Sequence, residues 1–243
     1  MINKRLPPVN GEIYHIVIRA VEGSKLFRDK QDYLQIIHNL FEFNDEKPVS
    51  SKFRVLRCIN KKMKLTRNEI VNFGSCEQEK REMLVQIFAF CLMPNHVHLL
   101  VRQIKDGGIT KFMRKTGAGY ANYYNQKYKR TGHLFQGRYR MVHVKNDKQL
   151  ITVFVYIHTN PIAIIYPGWK EKGIANFKKA VDFIENYKWS SYSDYLENRN
   201  FPSVTAREWL TRELGGVREA RRFVNDWLEL KRELIDLKQV AIE

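Results

Sequence analysis

Four segments predict β-strands: one rich in β-branched and aromatic residues, two largely apolar and one that alternates between apolar and polar residues. The strands are expected at residues 12–21, 83–95, 96–103 and 137–146. The second strand ends at the dipeptide Pro94-Asn95, a turn signal, and the third begins at the next residue. These two strands are therefore predicted to form an antiparallel pair.

Apolar residues spaced three and four apart predict helices between and after the strands. The helices are expected at residues 30–44, about 111–130, 148–160, 204–213 and 216–238. Thr110 and Asp147 are the expected caps of the second and third helices, and Pro161 is expected to end the third. The order β-α-β-β-α-β, followed by a helix, is the split βαβ or ferredoxin-like plan. The predicted fold class is α+β: an antiparallel four-stranded sheet with helices on one face, plus a C-terminal helical extension.

Two segments lie outside this plan and define the predicted domain organisation. Residues 45–82 contain Pro48, a serine pair and Gly74, and they are predicted to be an insertion or a local hairpin with a short helix. We expect a core domain at residues 1–165, which includes the insertion, and a helical extension at 166–243.

The composition is strongly basic and narrows the classes of partner. The formal net charge is +16 over 243 residues, which favours a polyanion, nucleic acid before an acidic membrane. No apolar run approaches the roughly 18 residues of a membrane span, and the N-terminus has no signal core. The three cysteines form no CxxC pair, which is typical of a reducing, cytoplasmic setting without disulfides.

The segment "MPNHVHLLV" places His96 and His98 two residues apart in a predicted apolar strand. Residues two apart in a strand point to the same face. One interpretation is a pair of hydrogen-bonded core histidines. The other is a pair of metal ligands, which we favour because buried imidazole nitrogens require a partner.

The predicted helix "LITVFVYIHTN" places Tyr156 and Asn160 one turn apart on one face. A tyrosine there could attack a phosphate, and an amide oxygen one turn later could complete a metal shell. The alternatives are a packed tyrosine with a surface hydroxyl and an asparagine that ends the helix. His158 falls on a different face and is not expected to be a ligand.

Residues 107–146 are basic and contain no acidic residue. Cations follow a phosphate backbone, and aromatic faces stack on unpaired bases. The tyrosines of the predicted helix form one stripe and are expected to pack on the sheet, so the following loop and strand are the better candidate for contacts with nucleic acid. The predicted contacts are Lys127, Lys129, Arg130, His133, Gln136, Arg138 and Arg140.

Three segments, in order, resemble the REP-associated tyrosine transposases, which are single-tyrosine HUH transposases of the insertion-sequence type. They are "MPNHVHLLV", "ITKFMRKTGAGYANYYNQKYKRTGHLFQGRYR" and "YIHTNPI". The resemblance covers most of residues 12–230, and the insertion at 45–82 fits it least.

The resemblance implies a role for each residue of the site. His96 and His98 would bind a divalent metal ion, Mg²⁺ or Mn²⁺, with Asn160 as the third ligand, where relatives often have glutamine. Tyr156 would be the nucleophile.

The resemblance also implies an activity: metal-dependent cleavage and strand transfer of single-stranded DNA through a 5′-phosphotyrosine, at hairpin-forming or palindromic repeats. The resemblance is compatible with a homodimer and with a monomer. The alternatives are a domesticated, non-catalytic nucleic-acid-binding protein and an RNA-processing nuclease on the same fold.

Overall fold

The computed structural model describes residues 7–47 and 81–240, with side chains as far as residue 232. Most of the predicted insertion, and with it Cys58 and Cys76, therefore lies outside the described residues. The remaining cysteine, Cys91, is a free, buried thiol.

Four strands form one antiparallel sheet in the order β2-β3-β1-β4, as the ferredoxin-like plan requires. The strands are β1 Ile13–Arg19, β2 Val85–Met93, β3 His96–Gln103 and β4 Arg140–Val144. The strand β4 is shorter than predicted because Gly137 adopts a positive φ of 64° and its N–H turns back to the Phe135 carbonyl. The loop before β4 nevertheless still follows β1, since the N–H of Gln136 donates to the carbonyl of Arg19.

Two helices, α1 Lys30–Glu42 and α2 Gly108–Lys127, pack on one face of the sheet. Their contacts form a buried cluster with the strands that includes Ile16, Ile36, Leu99 and Phe112. The tyrosine stripe of α2 contributes as predicted: Tyr120 and Tyr124 are buried in this cluster.

The predicted start of α2 and its cap at Thr110 are wrong. The helix begins at Gly108, and its cap position is Gly107, which has a positive φ of 64°. The side chain of Gln103 replaces a capping residue, because its Oε1 accepts from the N–H of Ile109.

The opposite face of the sheet is also covered, which the sequence pattern did not indicate. The covering helices are α3 Asp147–Thr159, α4 Ile162–Ile165, α5 Trp169–Lys172, α6 Phe177–Glu185, α7 Tyr192–Tyr195, α8 Arg207–Glu213 and α9 Val217–Val240. One buried cluster joins Leu100 of the sheet with Phe154, Tyr195 and Leu228. The C-terminal extension thus shares a core with the sheet, and the division at residue 165 stays a prediction.

The helix α3 carries the predicted nucleophile, and its ends are fixed by local signals. The cap is Asn146, whose side chain accepts from the N–H of Gln149; the predicted cap, Asp147, is the first helical residue instead. The helix ends at Thr159, two residues before Pro161, as predicted. Within the ranges described above, no helix is long and apolar enough to cross a membrane.

Candidate active site

The strand β3 presents His96 and His98 on the face covered by α3. Their neighbour Leu100 belongs to the cluster under α3, whereas Val97 and Leu99 belong to the cluster under α1 and α2. His98 is 1% exposed and His96 is half-buried. The same-face prediction from the spacing is therefore confirmed.

Tyr156 reaches these histidines from α3 of the same chain. Its ring lies edge-on to the ring of His98, with 5.5 Å between the ring centroids and 85° between the planes. The side chain is half-buried and packs against the cluster beneath α3. A phenol and two imidazoles thus meet at one place, without a contribution from a second copy of the chain.

The hydrogen bonds of the two histidines leave the same ring nitrogen available. Nδ1 of His96 lies 2.6 Å from Oδ1 of Asn95, and Nδ1 of His98 lies 3.0 Å from Nε2 of His15. Nε2 of His98 is buried and has no hydrogen-bond partner among the described residues. Metal-binding histidines usually show this pattern, in which one nitrogen is held by a polar neighbour and the other binds the ion.

The surroundings keep both imidazoles neutral at neutral pH. Burial, with smaller contributions from the charges of Arg19 and Lys170, lowers the pKa of His96 to about 4. Burial also lowers the pKa of His98 well below its usual value, with smaller contributions from the neighbouring histidines and the same two cations. A neutral imidazole has a lone pair that can bind a cation.

His15 is a third histidine of the site, which the sequence reasoning missed. Its ring stacks on His98, with 5.2 Å between centroids and 14° between planes, and lies 5.8 Å from the ring of Tyr156. The register explains the contact, since Val17 pairs with His98 and His15 lies two residues away on the same face. The alternation in "EIYHIVIRAV" could have given its face, but not which strand lies beside it.

Lys170 of α5 is a second residue that the sequence reasoning did not single out. Its Nζ lies 4.1 Å from the centre of the Tyr156 ring and 3.5 Å from Oδ1 of Asn160. The side chain is exposed to solvent. The C-terminal extension therefore brings a cation to the predicted nucleophile.

Asn160 lies directly behind Tyr156, at the end of α3. Its Nδ2 donates to the carbonyl of Tyr156 at 2.7 Å, and its Oδ1 faces Lys170. In the described part of the chain, no three His, Cys, Asp or Glu side chains form a group that could hold a metal ion. Metal binding by His96, His98 and Asn160 therefore stays a prediction.

His158 has a structural role, in agreement with the face assigned to it. It is fully buried, and its Nε2 lies 2.9 Å from Oγ of Ser191. This contact joins α3 to the C-terminal extension, on the side away from Tyr156.

The predicted nucleic-acid contacts fall into two groups. Arg140 pairs with Val17, which itself pairs with His98, so Arg140 projects from the site face of the sheet. Arg138 and Gln136 are exposed in the loop that leads to it.

The second group lies at the end of α2. Lys127 is held by Asp29 and Asp32, so its charge is matched within the protein. Arg130 donates to Oδ1 of Asn125 and is half-buried. Lys129 and His133 are exposed, and their contact with nucleic acid stays a prediction.

Comparisons with known proteins find similarity to transposases. Residues 47–160 match the family model described as "Transposase IS200 like". A solved structure, "Structure of the REP associates tyrosine transposase bound to a REP hairpin", superimposes with a TM-score of 0.50 and 13% sequence identity, over 85% of this chain and 92% of that chain. A bacterial tRNA(His) guanylyltransferase (Thg1)-like protein in complex with ATP aligns over 90% of this chain and 93% of that chain at 11% identity, but its TM-score of 0.39 is too low to bear on function. No curated protein sequence matches significantly.

The ferredoxin-like sheet brings a histidine pair and a helical tyrosine together. The family match spans both histidines, Tyr156 and Asn160, so this part of the chain is similar to the IS200-like transposases. Its fold is that of the REP-associated tyrosine transposase to which it is similar.

Proposed function

We propose that this protein cleaves and rejoins single-stranded DNA, with Tyr156 as the nucleophile. The observation that carries the proposal is the position of the Tyr156 ring, 5.5 Å from the ring of His98 in the same chain. A tyrosine that only fills the core would not need to lie beside two histidines and an exposed lysine. The family match supports the assignment to DNA transposition.

The proposed reaction proceeds in two steps that need no external energy. Oη of Tyr156 attacks the phosphorus atom and forms a P–O bond, while the phenol proton passes to solvent. The bond from phosphorus to the 3′ oxygen breaks, and this oxygen takes up a proton and leaves as a 3′-hydroxyl. The product is a 5′-phosphotyrosine. The 3′-hydroxyl of a second strand then attacks it, joins the DNA and restores the phenol.

The residues present fit a divalent metal ion. His96 and His98 would hold it through Nε2, because their Nδ1 atoms are already engaged and Nε2 of His98 is a buried nitrogen without a partner. A side-chain amide, Asn160, is the proposed third ligand, and Mg²⁺ or Mn²⁺ suits such a mixed shell with open positions. When bound, the ion would polarise the scissile phosphate and stabilise charge in the transition state.

Positive side chains around the site would hold the DNA strand. Arg140 projects from the site face, Arg19 ends β1 beside His96, and Lys170 covers the ring of Tyr156. These cations could contact phosphates on either side of the scissile bond. The similar solved structure is bound to a REP hairpin, and we propose a hairpin-forming repeat as the substrate here. Because one chain supplies Tyr156 and both histidines, a homodimer is not required for the chemistry.

A covalent-adduct assay tests the proposal. The protein is incubated with labelled single-stranded hairpin DNA and Mn²⁺, and an SDS-resistant protein–DNA band is expected. Tyr156→Phe should remove the band. Tyr14→Phe is the matched control, since Tyr14 lies on the opposite face of the same sheet and is expected to leave the band intact.

The two rival functions give different results in the same assay. A domesticated binding protein would shift the DNA but form no covalent band. An RNA nuclease on this fold would cut labelled RNA and keep that activity in Tyr156→Phe.

A further inference from the structure

We infer that His15 is a positioning residue that accepts the Nδ1–H of His98 and thereby keeps Nε2 of His98 unprotonated for a metal ion. The inference rests on the metal site of the proposed function, to which it adds a residue of another strand. His15 would not touch the metal ion or the DNA in this role. It would act only through the ring of His98.

The contact between the two rings has the geometry of a specific hydrogen bond. Nε2 of His15 lies 3.0 Å from Nδ1 of His98, which is the usual distance for an N–H donor and a nitrogen acceptor. The rings are nearly parallel, at 14°. The strand pairing of β1 with β3 fixes the backbone on both sides of the contact, so the two rings are held in register.

Only one hydrogen can lie between these two nitrogen atoms. If His15 donates, Nδ1 of His98 is the acceptor and the neutral ring must carry its proton on Nε2. That N–H would be buried without a partner, since Nε2 of His98 contacts no acceptor among the described residues. A buried unsatisfied donor is unfavourable. If His98 donates, its Nε2 has a free lone pair, which is the form that a metal ion requires.

The alternative interpretation is that His15 merely fills space beneath Tyr156. A filling residue could be replaced by phenylalanine, which has a flat ring of similar size. Phenylalanine has no acceptor, so the replacement removes the hydrogen bond and little else. Glutamine has an acceptor oxygen on a flexible side chain and can restore the bond. The pair of variants therefore separates positioning from packing.

The first test reads the tautomer of His98 in the metal-free protein by ¹H–¹⁵N NMR of the imidazole rings. In the wild type we expect the proton of His98 on Nδ1. In His15→Phe the Nε2-protonated form should appear, and in His15→Gln the Nδ1 form should return. A wild-type spectrum with the His98 proton on Nε2 would overturn the inference, whatever the protein does to DNA.

The second test measures Mn²⁺ binding to the metal-free protein by calorimetry, without DNA. Losing such a hydrogen-bond partner typically weakens metal binding by about 10- to 100-fold, and we expect this loss in His15→Phe with recovery in His15→Gln. The control is His143→Phe, because His143 lies on the other face of the sheet, paired with Tyr14, and contacts Glu12.

The outcomes separate this inference from the proposed function. If the wild type and His15→Phe bind Mn²⁺ equally while His98→Ala does not bind, His15 has no positioning role but the metal site stands. If the wild type binds no Mn²⁺, the metal site and the inference both fail. If His15→Gln fails as His15→Phe does, the loss is one of packing and the inference is also overturned.

Discussion

The ring of Tyr156 lies edge-on to the ring of His98, at 5.5 Å between centroids. Two different elements meet there, since Tyr156 is in the last turn of α3 and His98 is the third residue of β3. Phe154 and Ile157 are buried on either side of Tyr156 and anchor α3 to the sheet. The core packing of α3 therefore places the phenol beside the imidazoles.

Replacement of either histidine of the pair by alanine should separate binding from cleavage. We expect His96→Ala and His98→Ala to abolish Mn²⁺-dependent cleavage, because each change removes a proposed metal ligand. DNA binding should be largely retained, since neither histidine is charged at neutral pH. His143→Ala, on the opposite face of the sheet, is the control. Normal cleavage by His96→Ala would show that the metal assignment is wrong.

Loss of the Lys170 charge should slow cleavage. Lys170→Ala removes a cation 4.1 Å from the centre of the Tyr156 ring, and a cation–π contact contributes about 0.5–2 kcal/mol. The cleavage rate at saturating DNA should fall about 2- to 30-fold. Lys172→Ala changes another lysine of the same short helix and should leave the rate unchanged. Equal cleavage rates for Lys170→Ala and Lys172→Ala would show that Lys170 has no specific role in cleavage.

Binding of single-stranded DNA should depend steeply on salt. If 6–10 phosphates are contacted, affinity falls about 10³- to 10⁵-fold between 50 and 200 mM salt. Arg140→Gln should reduce the slope of log affinity against log salt by about 1, as expected for one lost phosphate contact. Arg222→Gln is the control, because Arg222 pairs with Glu219 on α9. Fluorescence anisotropy measures both slopes, and a flat response would contradict the electrostatic contact.

Lys127 should contribute to stability, because its Nζ contacts Asp32, whose side chain is fully buried. Burial by itself would raise the pKa of Asp32, but hydrogen bonds from Lys127, Tyr128 and the backbone of Arg28 bring it below its usual value. The folded pKa is therefore below the unfolded one, and the stabilisation is present above about pH 4 and lost as the pH falls through the folded pKa.

The expected effect of a substitution at Lys127 follows from the lowered pKa of Asp32 in the folded state. Lys127→Met should lower the free energy of unfolding at pH 7 by about 1–3 kcal/mol, and the difference should shrink below pH 4 as Asp32 becomes protonated. Urea denaturation at both pH values measures it. Lys148→Met, at an exposed position in the first turn of α3, should change little. An unchanged stability of Lys127→Met would leave Lys127 free for nucleic acid, as the sequence suggested.

Much of the fold could be predicted from the chain because local patterns were consistent with one another. The strand β3 begins at His96 and ends at Gln103, as the apolar run indicates. The cap of α2 was missed because the side chain of Gln103 acts from another element, which leaves no local sequence signal. The covered second face was missed because short helices such as α5 and α7 have too few residues to show a period.

The site was predictable where its residues are close in sequence. The spacing of His96 and His98 gives their common face, and the family resemblance predicts a role for Tyr156. His15 and Lys170 come from distant parts of the chain, and only the pairing of β1 with β3 and the packing of α5 bring them in. The positive charge of Lys127 favoured a contact with nucleic acid. Its pairing with Asp29 and Asp32 was missed because these residues lie on the other side of the insertion in the sequence.

Mass spectrometry of the adduct tests the central claim most directly. The protein is reacted with single-stranded hairpin DNA and Mn²⁺, and the DNA is trimmed with nuclease before digestion with trypsin. The peptide from Gln149 to Lys170 contains two tyrosines, Tyr156 and Tyr166. We expect a nucleotide joined through its 5′ phosphate to Tyr156 alone. A nucleotide on Tyr166 or on any other residue, or a cleaved strand with no nucleotide on the protein, would contradict it.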